Sequence, residues 1–416
     1  MPEFPVDQAR SSFPALRDEF IFFDNAAGAQ SPSTVLNAVA HHLLHRNVQR
    51  GGRYRQSQEV DEVIASARTS VALLVNAWYP EEICFGMNAT SFMRLISLAI
   101  GQSLKDRREI IVTDLDHEAN IAVWLALERE GAKIVWWHFR DDGLLHPQDM
   151  ENLLSSRTRI VACTLASNAL GSILDVAEVS RLAHAAGAEV FIDAVHYGPH
   201  GPIDVQAFGC DYLVCSGYKI FSPHMGFLWG RRETLDALPT FREEFVPDIT
   251  PTKFEIGTYI YENVAGMDAA VRYLEGLGGA INPSATSRRA ALVACTEAIR
   301  NYESQLSCAM LDALAAANAT VYGITAKDKI SRRTPTLCFN LPGISPAKVT
   351  EALAAKNISV RDGHMYSPRL MKRLGLTQES GAVRASLVHY NTLDEVRKFR
   401  NSLAEMTDTE RTRDPC

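Results

Sequence analysis

Between Glu189 and Gly230 the chain runs EVFIDAVHYGPHGPIDVQAFGCDYLVCSGYKIFSPHMGFLWG, the stretch that most restricts what it can fold into. One apolar run ends in Asp193 and a second ends close to Lys219. Runs this short, rich in Val, Ile, Phe and Leu and closed by turn residues, are strands buried on both faces. Charges at their ends therefore meet at one rim of a sheet. In open α/β sheets ligands bind beyond the carboxyl ends of the strands, so Asp193 and Lys219 are placed to face a common ligand. An ordinary ion pair at a sheet edge would use the same two charges. A buried lysine can also form a Schiff base, and one class of cofactor sets an acid against its ring nitrogen opposite that lysine.

Neighbouring residues favour the second reading. Asp193-Ala194-Val195-His196, then Pro202-Ile203-Asp204-Val205-Gln206-Ala207-Phe208-Gly209-Cys210-Asp211, then Ser216-Gly217-Tyr218-Lys219 follow in one gapless register. This stretch resembles the class V aminotransferase family of fold-type I pyridoxal phosphate enzymes, and within it the cysteine desulfurases and selenocysteine lyases, which carry Asp-Gly-Ala-Gln, Pro-x-Asp-Val-Gln-Ala-x-x-Cys-Asp and Ser-Gly-His-Lys. The resemblance implies that Lys219 binds pyridoxal phosphate and, once freed, removes the substrate's α-proton through external aldimine and quinonoid intermediates. It also implies that Asp193 protonates the pyridine nitrogen, with Ser216, Tyr218 and His196 around the ring. His196 stands where relatives have glutamine and Tyr218 where they have histidine.

The whole chain suits such an enzyme. Its 416 residues suffice for two domains, and 46% hydrophobic with 22% charged is ordinary for a globular protein. A net charge of −7 gives no footprint for nucleic acid. No run approaches the roughly 20 apolar residues of a membrane span, and the start, MPEFPVDQARSSF, lacks a signal peptide's basic and apolar regions, so the expected compartment is the cytoplasm. Eight cysteines show no C-x-x-C or zinc-finger spacing. They read as reduced and mostly buried, with Cys416 the exposed exception. No G-x-G-x-x-G follows an early strand, which argues against a dinucleotide-binding dehydrogenase.

From the N-terminus, residues 1–20 have no strong pattern, though Phe4, Phe13, Leu16 and Phe20 are apolar enough to dock on a neighbouring domain. The small-residue loop from Phe22 to Pro32 resembles the family's Leu-Asp-x-Ala-Ala-x-x-Gln-x-Pro and carries Asn25 toward the substrate. Arg50-Gly51 keeps the second and third residues of the family's His-Arg-Gly, with Gln49 in place of the histidine, so the resemblance implies Arg50 as a second substrate contact, the alternative being a solvated turn. Asn88-Ala89-Thr90-Ser91 joins a strand to a helix expected over Phe92 to Ile100. Such a junction offers free N–H groups and the positive helix end to a phosphate, with plain capping by Thr90 or Ser91 the alternative. The family has Gly-Thr-Thr-Glu here, so Ala89 loses one hydroxyl and Thr90 keeps the other.

Strands and helices then alternate through Asp193, the pattern of a doubly wound, mostly parallel sheet. Asp116-His117-Glu118-Ala119-Asn120-Ile121 resembles His-His-Ala-Asn-Ile, whose first histidine stacks on the pyridine ring, a role that falls on His117. Ser167-Asn168-Ala169-Leu170-Gly171 resembles Ser-Asn-x-Leu-Gly and sets Asn168 beside the cofactor's phenolic oxygen. Phe254-Glu255-Ile256-Gly257-Thr258 resembles Phe-Glu-x-Gly-Thr, whose threonine reaches the phosphate in the other subunit. On that basis Thr258 implies a homodimer.

The pattern changes near Ser284 to helices at Arg288 to Ser304, Pro346 to Lys356 and Leu393 to Met406, with strands near Thr320 to Tyr322 and Pro335 to Asn340. The expected fold is therefore α/β: a large pyridoxal phosphate-binding domain over 16–283, and a smaller α+β domain from 1–15 and 284–406. Residues 407–416 read as a disordered tail. Arg384, in Arg384-Ala385-Ser386-Leu387-Val388-His389-Tyr390-Asn391-Thr392, matches the family's clamp on the substrate α-carboxylate, a contact suited to a planar guanidinium. Val360-Arg361-Asp362-Gly363-His364-Met365-Tyr366-Ser367-Pro368 matches Val-Arg-x-Gly-His-x-Cys-x-x-Pro only in part. His364 is retained for the substrate, the proline comes one residue early, and Tyr366 stands at the position of the sulfur-accepting cysteine. A phenol cannot carry sulfur, because its pKa of about 10 keeps it protonated and oxygen cannot hold the product. The expectation is thus an enzyme acting on an amino acid, a lyase or transferase without a protein persulfide. The alternatives are an aminotransferase, an epimerase or ring-forming enzyme, and a catalytically silent relative. Tyr366 either transfers a proton or merely packs on the pocket wall.

Overall fold

The structure is a computed structural model and describes residues 4–377 and 380–413, with side chains to 407. Cys416, expected to be exposed, lies outside the described residues. The strands are β1 Ile21–Phe22, β2 Ile83–Gly86, β3 Glu109–Thr113, β4 Lys133–Trp137, β5 Thr158–Thr164, β6 Glu189–Asp193, β7 Tyr212–Ser216 and β8 Gly226–Gly230. They are followed by β9 Thr320–Tyr322, β10 Thr336–Asn340, β11 Ile358–Ser359, β12 Arg361–Gly363 and β13 Ala382–Ser386.

Seven strands form one sheet in the order β2-β8-β7-β6-β5-β3-β4. The pairs β3–β4, β3–β5, β5–β6 and β6–β7 are parallel, and β8 alone runs against its neighbours. Every residue of β3, β7 and β8 is buried, as continuous apolar runs require when helices cover both faces. The carboxyl ends of β3, β5, β6 and β7 consequently share one rim.

A second sheet, of four strands in the order β12-β13-β10-β9, is antiparallel throughout. The N-terminal segment ties onto this part of the chain: β1 pairs with β11, and Asp24 bridges Ser386 beyond it. Phe4 stacks on Tyr302 at 4.8 Å, and buried Phe13 lies edge-on to Phe221 and Tyr273, so these two rings dock as expected. Phe20 stays at the surface.

Three differences from the sequence reading concern helices. Tyr261–Ile281, 21 residues long, was not foreseen. Helical turns begin at Ala89 rather than Phe92, and Asn88 rather than Thr90 or Ser91 is the cap, accepting from the Ser91 N–H at 2.8 Å. The last helix runs Leu393–Arg413, so residues 407–413 are helical where a disordered tail was expected. Its many charged residues give no apolar period beyond Met406, which is why the sequence pattern ends there.

Candidate active site

A cleft at the shared rim is lined by Ala89, Thr90, His117, Asn168, Asp193, His196, Ser216, Tyr218 and Lys219. Met93, Ala119, Thr164 and Val195 complete the lining. Strand ends supply most of these residues: Asp193 closes β6, Ser216 closes β7, and Lys219 ends the 3₁₀ turn Gly217–Lys219 that follows. Ala89 and Thr90 open a 14-residue helix whose start presses on β8. A Cβ at Gly226 would lie 2.4 Å from the Asn88 carbonyl carbon, so only glycine allows that approach.

Electrostatics set each protonation state. Burial, with Arg384 nearby, lowers the Lys219 amine to about 8, and Asp193 opposes that shift. Burial raises Asp193 to about 6, so at neutral pH it is mostly ionised. One of its oxygens accepts from the Val195 N–H at 2.9 Å. His117 is held neutral near 4 by burial and by Lys219 and Arg384, and its Nδ1 accepts from the Ala119 N–H at 3.0 Å. Burial and neighbouring positive charges likewise lower His196, whose Nε2 lies 3.3 Å from the Thr334 hydroxyl. Neutral imidazoles beside the Lys219 and Arg384 cations avoid like-charge repulsion.

Asn168 lies against the turn over residues 364–367, and Arg384 holds the Asn168 carbonyl. The Asn168 amide donates to the Met365 carbonyl at 2.7 Å and accepts from Ser367 at 3.1 Å. Its second N–H remains for a ligand. Arg384 is 2% exposed on β13 and donates to the Asn168 carbonyl at 2.9 Å and to Asp24 at 3.0 Å. Tyr366 is 54% exposed, has φ of 59°, and stacks on His117 with ring centroids 5.7 Å apart. His364 accepts from the Tyr366 N–H at 3.0 Å.

The class-V aminotransferase description matches residues 21–399. The chain belongs to the class-V aminotransferase family. Aminotransferase-like protein FGM3 of Gibberella zeae is 34% identical over 94% of this chain and 96% of its own length. A probable cysteine desulfurase of Synechocystis is 32% identical over 95% and 94%. The apo structure of a cysteine desulfurase from Thermococcus onnurineus superposes with a TM-score of 0.87 at 28% identity, covering 98% of this chain and 99% of that one.

Class-V aminotransferases of the cysteine desulfurase kind depend on pyridoxal phosphate, and the cleft fits that group. A lysine with a lowered pKa and an ionised carboxylate share it, and the first turn of a helix faces it. Other expected residues lie elsewhere. Thr258 is exposed in a separate depression with Arg50, linked through Gln49, which donates to the Thr258 hydroxyl at 2.7 Å. Arg50 pairs with Asp61 at 3.1 Å and reaches Glu255 at 3.9 Å. Asn25, expected to contact the substrate, has its side chain engaged within the protein. It is buried, and its amide donates to the Phe22 and Ser386 carbonyls and to Asn391 while Tyr390 donates to it.

Sequence reasoning passed over Asp116. It is buried under the His117 turn, accepts from Thr113, Asn120 and the Thr164 N–H, and is raised by burial to about 7. A carboxylate following the apolar β3 was the available signal.

Proposed function

We propose that this chain is a pyridoxal phosphate-dependent lyase that breaks a carbon–sulfur or related bond in an amino acid without forming a protein persulfide. The observation that carries the reading is the cleft's lining, which among the described residues contains no thiol. Cys84, Cys163, Cys210, Cys215, Cys295 and Cys338 are buried, and burial pushes all six thiols up, Cys338 to about 12. Cys308 is half-buried on the helix Arg288–Ala316. A thiolate attacking substrate sulfur must be ionised and reach it. At the turn where the resemblance expects that thiolate, Tyr366 presents a phenol.

When bound, pyridoxal phosphate supplies an electrophilic carbon for amines and a ring that takes up charge developing on the substrate's α-carbon. Lys219 is the amine that holds it, and at about 8 the freed amine is tuned to accept the α-proton near neutral pH. Asp193 would keep a proton on the ring nitrogen, and His117, His196, Ser216 and Tyr218 would hold the ring. Asn168 would donate its remaining N–H to the phenolic oxygen. Thr90 and the amides of Ala89 and Thr90 hold the phosphate. Arg384 grips the substrate's α-carboxylate, and His364 and Tyr366 stand over the substrate.

A second copy completes the site through Thr258. Phe241, Phe245, Ile249 and Ile256, all exposed just before Thr258, support such a contact, because an apolar surface of this kind favours association. No helix among the described residues is long and apolar enough to cross a membrane. We place the enzyme in the cytoplasm.

The test is direct. Holoenzyme incubated with L-cysteine should release sulfide together with pyruvate and ammonia, without gaining the mass of a sulfur atom on any thiol. A persulfide that forms and passes to an acceptor at the catalytic rate would return the enzyme to the desulfurases. Absence of any spectral change with a panel of amino acids would instead favour a silent relative.

A further inference from the structure

The loop after β1 delivers to Arg384 one side chain with no role so far. Asp24 follows a stretch anchored on β13: it bridges Ser386, the Ser386 N–H donates to Phe23 at 2.6 Å, and the Ala26 N–H donates to the Ser386 hydroxyl at 2.8 Å. Its side chain, 17% exposed, takes both guanidinium groups of the neighbouring strands. Arg384 Nη2 donates to Oδ1 at 3.0 Å, while Arg361 of β12 donates to Oδ2 from Nε at 3.0 Å and from Nη2 at 2.8 Å. The two arginines stand opposite one another in the β12–β13 register.

Two like charges this close repel unless a carboxylate lies between them. Asp24 supplies it, and the set of two cations and one anion keeps a net positive charge to offer an anion.

The hydrogen-bond inventory of Arg384 narrows what that anion can be. A guanidinium has five N–H donors in a fixed plane. Here Nη1 is held by the Asn168 carbonyl and Nη2 by Asp24, which fixes the plane from two sides. Nε is buried and has no partner. A buried unpaired donor on a charged group is costly, so a ligand that satisfies it gains that cost as binding energy. A carboxylate takes the Nε edge side-on while the second hydrogen of Nη2 stays on Asp24.

We propose that Asp24 is a positioning residue: by holding Arg384 and Arg361 together it presents the Nε edge of Arg384 to the substrate's carboxylate and makes the site selective for amino acids over amines. The inference rests on Arg384 as the carboxylate clamp.

The experiment compares holoenzyme affinity for L-cysteine, L-alanine and L-serine with that for cysteamine, ethylamine and ethanolamine, which lack only the carboxylate. Spectral titration gives each dissociation constant, and the amine-to-amino-acid ratio isolates what the carboxylate contributes. Wild type should prefer the acids at least tenfold. Asp24→Asn, which keeps the size and removes the charge, should cut that ratio at least fivefold while amine affinities change less than twofold. Arg361→Gln, at a half-buried position, lets Asp24 turn and should cut the ratio at least twofold. It serves as the deciding variant should Asp24→Asn not fold.

A folded variant that keeps the wild-type ratio, or that weakens amines and acids equally, overturns the role of Asp24. A wild-type enzyme with no preference, or one whose preference survives Arg384→Gln, overturns the clamp itself. The two failures are thus distinguishable.

Discussion

The lysine is the most demanding element of the site, and its pH behaviour tests the electrostatics that surround it. An ordinary lysine titrates near 10.5, whereas burial and the Arg384 charge bring Lys219 to about 8. At neutral pH the free-amine fraction is then greater by a factor of about 300. Cofactor-free protein mixed with pyridoxal phosphate should therefore bind it covalently at a rate that rises with pH, has its midpoint near 8, and levels off above it. The sign follows from the chemistry, since only the unprotonated amine attacks a carbonyl. Stopped-flow absorbance from pH 6 to 10 measures it. Arg384→Gln removes a charge that lowers the amine, so its midpoint should move up. Asp193→Asn removes one that raises it, so its midpoint should move down. Lys219→Ala should give no absorbance of lysine-bound cofactor at any pH. A wild-type rate still climbing steeply at pH 10, or the two variants shifting the same way, would refute the assignment of these charges.

Light scattering of the holoenzyme should give a dimer, and Thr258→Ala should weaken cofactor retention without dissociating it. A stable monomer with full cofactor occupancy would rule out the shared site. Tyr366→Phe should change turnover less than threefold, because the ring on His117 is retained and the residue is 54% exposed; a fall on the order of 10² would give the hydroxyl the proton transfer. Asp116 is raised by burial from 3.8 to about 7, so the folded protein favours its protonated form, and the stability this brings is lost as pH rises through that window. Relative to wild type, Asp116→Asn should gain stability between pH 4 and pH 8, by up to about 4 kcal/mol, read from denaturant unfolding of cofactor-free protein.

The sheet was legible because its strands are continuous apolar runs closed by polar residues, and those closing residues are also the site. Asp193 and Lys219 were readable for one reason, that each stands at the end of a buried strand run at the rim where ligands bind, whereas Ser216 came from the resemblance alone. Helix Tyr261–Ile281 escaped because glycines at 266, 276, 278 and 279 lower helix propensity and dilute its apolar period. At least one of them is required by packing. A Cβ on Gly278 would sit 1.9 Å from the Ala291 carbonyl oxygen, so the residue that weakens the local signal lets this helix approach the start of Arg288–Ala316.

Residues that act through partners far along the chain were harder to place. Asn25 sat in a matching loop, and only the fold shows its amide consumed by Phe22, Ser386 and Asn391. Asp24 sat beside it without a role, because its partner Arg384 is 360 positions away. In sequence the two neighbours are equivalent, a polar pair before a run of small residues. In space the side chain of Asn25 turns into the junction and is saturated by neutral hydrogen bonds, while Asp24 faces two arginines and retains a charge to organise them. Mutation separates these positions in kind. Replacing Asn25 leaves buried groups unpaired and should act on stability, whereas replacing Asp24 leaves a guanidinium free to turn and should act on recognition of the carboxylate.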